Sequence, residues 1–206
     1  MSIIDAIRNL LNENPFSGHY KINRMRPPGS VDEKRFMKLC VRCSRCVEVC
    51  PYGVLKRSTK TEYGEIGTPF IYAEEAGCHL CMKCTSVCPT GAIDPNVTEM
   101  TQTFIGIARI NEDTCNNFIY DRQESGETPD GMAAICSSCF NVCPLQFDAI
   151  RLENGLIPII TDQCTGCGMC VERCPTRPRS ISIIPKDMPD ADTAGYFHYL
   201  KRIDKK

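Results

Sequence analysis

Cysteine spacing constrains this chain more than any other feature, because 16 of its 206 residues are cysteines and they stand in four groups. Three groups share the pattern C-x2-C-x2-C-x3-C-P. They are Cys40, Cys43, Cys46 and Cys50 (motif I), Cys78, Cys81, Cys84 and Cys88 (motif II), and Cys164, Cys167, Cys170 and Cys174 (motif IV). The remaining group, motif III, is a variant in which Cys115 stands apart from Cys136, Cys139 and Cys143.

This spacing is the ligand pattern of bacterial [4Fe–4S] ferredoxins, so four copies predict four [4Fe–4S] clusters. Three closely spaced cysteines let a short loop wrap one face of a cluster, with backbone N–H groups directed at the sulfurs. The fourth cysteine follows about one helical turn later and points to the neighbouring cluster. The proline after it ends the short helix.

Other uses of cysteine fit this pattern poorly. Zinc ribbons pair two C-x2-C units across a gap of about 15–20 residues, and the C-x2-C-x2-C-x3-C-P repeat does not follow that spacing. Disulfides need an oxidising compartment, and no signal peptide precedes the first motif. Cys115 is the one uncertain ligand, since without it motif III would hold a labile or three-iron cluster. We predict that Cys115 is a ligand, because only then does every motif supply four.

Composition predicts a loop-rich α+β fold. Gly and Pro number 14 each and Trp is absent, and the 42% hydrophobic content includes the cysteines. We therefore expect the clusters to form much of the core and the apo-chain to fold poorly. The formal net charge of −1 becomes about −9 once four clusters add about −2 each. Lys38, Arg42, Arg45 and other cations near the motifs are expected to offset this charge, and nothing indicates nucleic-acid binding.

Three regions are predicted. Residues 1–35 form an N-terminal helix and an extended arm, residues 36–184 the four-cluster body, and residues 185–206 a C-terminal tail. The body is expected to be a tandem of bacterial-ferredoxin-like repeats, arranged as two pseudo-symmetric two-cluster units. Apolar runs at 69–72, 104–108 and 157–160 predict strands, and Asn154-Gly155 predicts a hairpin turn. Residues 121–131, in the motif III insertion, read as a surface loop.

No apolar run approaches the ~20 residues needed to span a bilayer, and the N-terminal residues carry no twin-arginine signal. We therefore predict a cytoplasmic protein with no direct membrane span. His79, within motif II, is expected to be a solvent-facing or hydrogen-bonding residue, because four cysteines already suffice as ligands. No nucleotide-binding or hydrolase motif is present, so the chain is not expected to be catalytic alone.

Strings around the motifs carry a more specific resemblance. They are Arg26-Pro27-Pro28-Gly29, Cys50-Pro51-Tyr52, Gly67-Thr68-Pro69-Phe70, Cys88-Pro89-Thr90-Gly91-Ala92-Ile93-Asp94, Asp113-Thr114-Cys115-Asn116-Asn117-Phe118 and Cys164-Thr165-Gly166-Cys167-Gly168. With these, residues 24–184 resemble the NapG/MauM-type four-cluster polyferredoxins. That family implies electron transfer between quinol-linked membrane partners and periplasmic reductases. Its nitrate-reductase-linked members carry the twin-arginine signal that residues 1–23 lack.

Similar four-cluster subunits serve cytoplasmic molybdenum and tungsten oxidoreductases of the aldehyde oxidoreductase or benzoyl-CoA reductase type. By that resemblance, motif I pairs with motif IV and motif II with motif III. The implied ligand sets are Cys40, Cys43, Cys46 and Cys174; Cys164, Cys167, Cys170 and Cys50; Cys78, Cys81, Cys84 and Cys143; and Cys115, Cys136, Cys139 and Cys88. Sequential pairing, I with II and III with IV, is the alternative, and the gaps between motifs do not decide.

The functional prediction is an electron-transfer subunit that relays single electrons to or from a separate catalytic subunit, a cytoplasmic tungsten or molybdenum oxidoreductase. A further redox protein is a possible second partner. The alternatives are a quinol-linked NapG-type ferredoxin, a free soluble ferredoxin and, in another class, a structural zinc protein.

Overall fold

The computed structural model describes residues 25–59, 66–124 and 135–186. The predicted N-terminal helix, which the sequence places at residues 1–14 by the helical spacing of its apolar residues, lies outside these residues, as does all but the start of the predicted tail. Short elements joined by turns make up the described chain, as an α+β fold rich in loops requires. In chain order they are α1 (Glu33–Leu39), α2 (Arg45–Glu48), β1 (Leu55–Arg57), β2 (Pro69–Ile71), a 3-10 helix (Met100–Gln102), β3 (Gly106–Ile110), α3 (Asn116–Glu124), α4 (Ser138–Val142), β4 (Ile150–Glu153), β5 (Ile157–Ile160), α5 (Met169–Arg173) and β6 (Ile181–Pro185).

The strands form three antiparallel pairs. β1 pairs with β2, and β4 pairs with β5 around the Asn154-Gly155 turn, where both residues have positive φ. The predicted hairpin is therefore confirmed. β3 pairs with β6 over five residues, from Gly106 opposite Pro185 to Ile110 opposite Ile181. This last pair joins the two ends of the segment that contains motifs III and IV, and so closes that segment on itself.

Four of the five helices in the described ranges are short because they end within two residues of the first or last cysteine of a motif, and only α3, which follows Cys115, does not. α1 begins at Asp32, whose side chain accepts a hydrogen bond from the Arg35 N–H at 2.9 Å, and it ends at Cys40. α4 ends at Cys143 and α5 at Cys174, each followed by proline. Proline cannot continue a helix and extends the residue before it, which directs each terminal cysteine away from its own loop.

Residues 25–30 lie in the core, although the sequence predicted an extended arm through residue 35. Met25, Pro27 and Pro28 are fully buried. Arg26 is 3% exposed and binds the Glu33 carboxylate at 2.6 Å and the Pro69 carbonyl at 2.7 Å. A buried guanidinium is tolerated here because its donors are paired. The segment therefore connects α1 to β2 rather than extending from the body.

Residues 121–124 also differ from expectation. The sequence predicted a surface loop over 121–131, but α3 continues through Glu124. The helix follows Cys115 directly, and the Ile119 N–H donates to the Cys115 carbonyl at 3.0 Å. Cys115 therefore stands at the start of a helix. No helix of the three described ranges combines the length and apolar character that a bilayer crossing requires.

Candidate metal centres

Cysteines from all four motifs converge on four cavities, named here A to D. Cavity A is lined by Cys40, Cys43, Cys46 and Cys88, and cavity B by Cys78, Cys81, Cys84 and Cys50. Cavity C is lined by Cys164, Cys167, Cys170 and Cys143, with Cys139 at its border. Cavity D is lined by Cys115, Cys136, Cys139 and Cys174. All 16 predicted ligands, including Cys115, thus lie at a cavity with three others.

This grouping is sequential and differs from the nested pairing that the resemblance implies. Cys88 rather than Cys174 joins Cys40 at cavity A, while Cys174 joins Cys115 at cavity D. The physical reason lies in the strand pairing. β3 and β6 enclose motifs III and IV within one segment, so the fourth cysteine of each reaches the loop of the other.

The cavities fit iron–sulfur clusters rather than single ions. Cavity A encloses about 350 Å³, cavity B about 330 Å³, and cavities C and D about 390 Å³ each. Part of each volume is open to solvent. Within the described ranges, no three His, Cys, Asp or Glu side chains converge closely enough for one metal ion. Thiolates are the ligands that iron–sulfur clusters require, and a wide thiol cage suits a group of several irons.

Loop geometry in motifs I, II and IV repeats at the same two positions. The second and fourth residues after the first cysteine have left-handed backbone, with φ between 52° and 82°, namely Arg42, Ser44, Leu80, Met82, Gly166 and Gly168. Such turns bring successive N–H groups to one side and make an anion-binding concavity. In motif II the Leu80 N–H lies 3.5 Å from the Cys78 sulfur. These loops are therefore built to surround a negatively charged group.

Motif III lacks this turn and uses Asn117 instead. Ser137 has φ −119° and α4 begins at Ser138, so this loop lacks the left-handed residue that directly precedes α2 and α5. Asn117, 1% exposed, accepts the Cys136 N–H and donates to the Cys136 carbonyl, both at 2.6 Å. Its amide also donates to the Leu156 carbonyl. One buried side chain thus holds Cys136 beside Cys115, which precedes it by 21 positions in the sequence.

Burial raises the pKa of nine of the 16 thiols. It raises the pKa of Cys46 and Cys167 to about 11, and the pKa of Cys78, Cys84 and Cys139 to about 12. Neighbouring thiols mostly add to these shifts, since further negative charge is unfavourable. Ligand thiols must lose their protons to iron, so cluster assembly in these cavities releases protons.

Cys88 is the exception among these thiols. Burial raises its pKa, but hydrogen bonds from the Thr90 and Ile93 N–H groups outweigh burial, and the pKa falls below its ordinary value. The Ile93 N–H lies 3.4 Å from the sulfur, and the Thr90 hydroxyl lies 3.7 Å from it. Donors aimed at a sulfur favour its anionic form and tune a bound cluster.

His79 lies at the border of cavity B, stacked on Tyr52 with ring centroids 3.8 Å apart. Four cysteines already line that cavity. The predicted role of His79 as a non-ligand fits this arrangement, and its ring covers the cavity together with the half-exposed Tyr52.

Cavities B and C meet at a narrow junction between the two halves of the body. The Cys78 N–H donates to the Cys167 carbonyl at 2.7 Å, and the Gly77 N–H donates to the Glu172 carboxylate at 2.8 Å. A Cβ on Gly77 would lie 2.5 Å from the Met169 nitrogen. Only glycine allows this approach. Sequence reasoning missed both Gly77 and Asn117, and the one signal for Asn117 was its position two residues after Cys115.

Comparisons with known proteins agree with the four thiol cages. Models of 4Fe-4S dicluster domains match residues 39–92 and 134–175, and a 4Fe-4S double cluster binding domain matches residues 77–146. These domains and the 16 cysteines correspond to four [4Fe–4S] clusters.

Two curated relatives cover most of the chain. The methylamine utilization ferredoxin-type protein MauM of Paracoccus denitrificans is 34% identical over 83% of this chain and 77% of its own length. The ferredoxin-type protein NapG of Escherichia coli is 30% identical over 85% of this chain and 77% of its own length.

Among solved structures, a formate dehydrogenase–heterodisulfide reductase–formylmethanofuran dehydrogenase complex from Methanospirillum hungatei aligns with 22% identity, over 84% of this chain and 58% of the other. Its TM-score of 0.24 is too low to support an argument. The two curated relatives, by contrast, are similar enough to show the family. The chain belongs to the MauM/NapG family of ferredoxin-type electron-transfer proteins with [4Fe–4S] clusters.

Proposed function

We propose that this ferredoxin-type protein relays single electrons along a line of four clusters between two partner proteins. When bound, each cluster supplies a one-electron redox centre. The ligand sets that we propose are those of cavities A to D. The chain's own residues then set the order of the centres, their separation and their exposure to partners.

The observation that carries the proposal is the Cys78–Cys167 hydrogen bond at 2.7 Å, because it joins a ligand at cavity B to a ligand at cavity C. Within each half, the fourth cysteines cross between cavities, so A adjoins B and C adjoins D. The resulting order is A, B, C, D. We infer two two-cluster units of similar plan, since each contains a motif, a β-hairpin and a second motif in that order.

A line of clusters with two ends and two inner members is better suited to passing electrons between two partners than to storing them. Cavities A and D are the ends of this order, so each is the natural point of exchange with a partner. A freely diffusing carrier needs only one such point. This arrangement supports a bridging role over the free soluble ferredoxin.

Anaerobic titration tests the relay. The purified protein is expected to hold about sixteen irons per chain and to accept about four electrons, one for each cluster. A protein that holds the iron yet accepts only one or two electrons at the potential of dithionite would contradict a continuous four-centre relay.

The partner identity stays a prediction. A tungsten or molybdenum oxidoreductase in the cytoplasm rests on the resemblance to the four-cluster subunits of such enzymes. The matched relatives are a methylamine utilization protein and a NapG protein, whose names mention neither metal. They lend more support to the alternative, a NapG-type ferredoxin of a membrane electron-transfer chain.

Anaerobic affinity purification from the native cells, with metal analysis of the product, separates these partners. Co-purifying tungsten or molybdenum with a large subunit is expected for the oxidoreductase. Recovery with a membrane-bound quinol oxidase or reductase, and no second metal, would contradict that partner. Fractionation of the same cells by osmotic shock tests the cytoplasmic location. Release of the protein together with periplasmic marker proteins would contradict that location.

A further inference from the structure

We propose that the surface around Val41 and Cys43 is the docking site for a redox protein with an acidic surface. The inference rests on the proposed relay, since this surface lies over cavity A at one end of the line. Five cations surround it, and together they are called the basic rim: Lys34, Arg35, Lys38, Arg42 and Arg45.

Cavity A opens at exposed residues. Val41 is 62% exposed, Cys43 is one of only two exposed cysteines among the 16, and both line the cavity together with Arg42 and Arg45. An exposed ligand shortens the path for an electron entering from outside. An apolar residue within a charged rim matches the small, transient contact surfaces of redox proteins.

α1 separates most of the rim from the cavity. Its buried face carries Phe36, which lines cavity A, while Lys34, Arg35 and Lys38 are exposed. Solvent screens charges on that outer face from the cavity more than it screens them from an approaching molecule. These three cations therefore act chiefly on what docks, and Arg42 and Arg45 at the cavity act on the bound group as well.

In the segment that carries the rim, carboxylates are fewer than cations. Between residues 32 and 48 there are three, Asp32, Glu33 and Glu48. Asp32 caps α1, and Glu33 is already paired with the buried Arg26 at 2.6 Å. The rim is thus a positive region on a molecule whose loaded net charge is about −9. Charge complementarity points to an acidic partner.

The other end of the line has a different character. Cavity D is lined by neutral polar side chains, among them Asn116, Asn117, Ser138 and Thr176, and its four cysteines are half-buried or buried. The two ends therefore fit chemically different partners, and the acidic partner belongs at cavity A.

Stopped-flow reduction of the loaded protein by flavodoxin hydroquinone, an acidic one-electron carrier, tests the site. The test variants are Lys38→Glu and Lys34→Glu/Lys38→Glu. The control is Arg151→Glu on β4, an exposed residue whose substitution changes the charge as much as Lys38→Glu does. We expect the wild-type rate constant to fall as ionic strength rises, and the double variant to be at least about tenfold slower at low salt. The control should stay within about twofold of wild type.

The sign of the salt effect is the sharpest readout. A protein recognised through its overall charge of about −9 would repel flavodoxin, and its rate would rise with salt. That outcome, or equal slowing by Lys38→Glu and Arg151→Glu, would overturn the docking site. Dithionite reduction of the same samples keeps the two proposals apart. Uptake of about four electrons per chain with unaltered flavodoxin rates contradicts the docking site alone, whereas failure to take up four contradicts the relay.

Discussion

Asn117 supplies to motif III what a two-residue spacer supplies to the other motifs. In motifs I, II and IV the first two cysteines share one short loop, so covalent geometry holds them together. In motif III the first two cysteines lie 21 positions apart, and the Asn117 amide joins them through both backbone groups of Cys136. At this cavity, the hydrogen bonds between Asn117 and Cys136 take the place of the short loop that joins the first two cysteines of the other motifs.

Replacing Asn117 with alanine should therefore empty cavity D selectively. The variant leaves the Cys136 N–H and carbonyl and the Leu156 carbonyl without this partner, at about 1–3 kcal/mol for each buried group. We expect iron to fall from about sixteen to about twelve per chain, as measured by anaerobic elemental analysis. The control Asn141→Ala removes an exposed asparagine of the same motif and should retain all the iron. Equal loss in both variants would show that Asn117 has no special role.

Among the elements, the short helices decide which cysteine reaches which cavity. α4 and α5 end at Cys143 and Cys174, and the following proline extends the backbone there. Each terminal thiol consequently leaves its own loop and lines the cavity of the neighbouring motif. The helices act as fixed spacers between adjacent centres, and no long helix or large sheet among the described residues performs this task.

Iron counts in double variants test this crossing. Cys40→Ala and Cys88→Ala should each lose one cluster, and the double variant should lose no more, because both thiols line cavity A. Cys40→Ala with Cys174→Ala should lose two, leaving about eight irons rather than about twelve. If the Cys40/Cys88 pair behaves additively and the Cys40/Cys174 pair does not, the nested arrangement is correct after all.

The sequence predicted these elements well where local chemistry determines them. The Asn154-Gly155 turn favours positive φ at two positions, and β4 and β5 pair around it as expected. Spacing likewise identified every cysteine that lines a cavity. The buried course of residues 25–30 was not predictable in this way, because Pro27 and Pro28 indicate irregular backbone without indicating burial. Tertiary partners keep that segment inside: Arg26 binds Glu33 and Pro69, and the Met25 and Gly29 carbonyls accept hydrogen bonds from the N–H groups of Ile71 and Asp94.

For the whole molecule, the choice between nested and sequential pairing depends on contacts far apart in the chain. β3 and β6 close one half on itself, and nothing in the spacing of the motifs fixes that pairing. The approach of the two halves is equally non-local, since it depends on Gly77 packing against the backbone of Met169. Periodicity and motif spacing carry no signal for either contact, and for this reason the sequence alone could not decide between nested and sequential pairing.

Gly77→Ala should separate the two halves while leaving each half loaded. Its Cβ would lie 2.5 Å from the Met169 nitrogen, and backbone cannot move aside as a flexible side chain can. We expect about sixteen irons per chain but weaker spin–spin interaction between reduced clusters in the EPR spectrum. Gly155→Ala is the control for backbone strain, because φ there is +72° but an added Cβ meets nothing within 4 Å and so disturbs no contact at the junction. An unchanged spectrum for Gly77→Ala would contradict the junction as the bridge between halves.

The crossing of terminal cysteines also bears on how such a chain can grow or shrink by gene duplication. Motifs I and II complete each other's cavities, and so do motifs III and IV. Deleting one motif would leave its neighbour with three ligands, and duplicating one would leave a cysteine with no site to complete. The smallest inheritable module is therefore a pair of motifs, so chains of this construction should gain or lose redox centres two at a time.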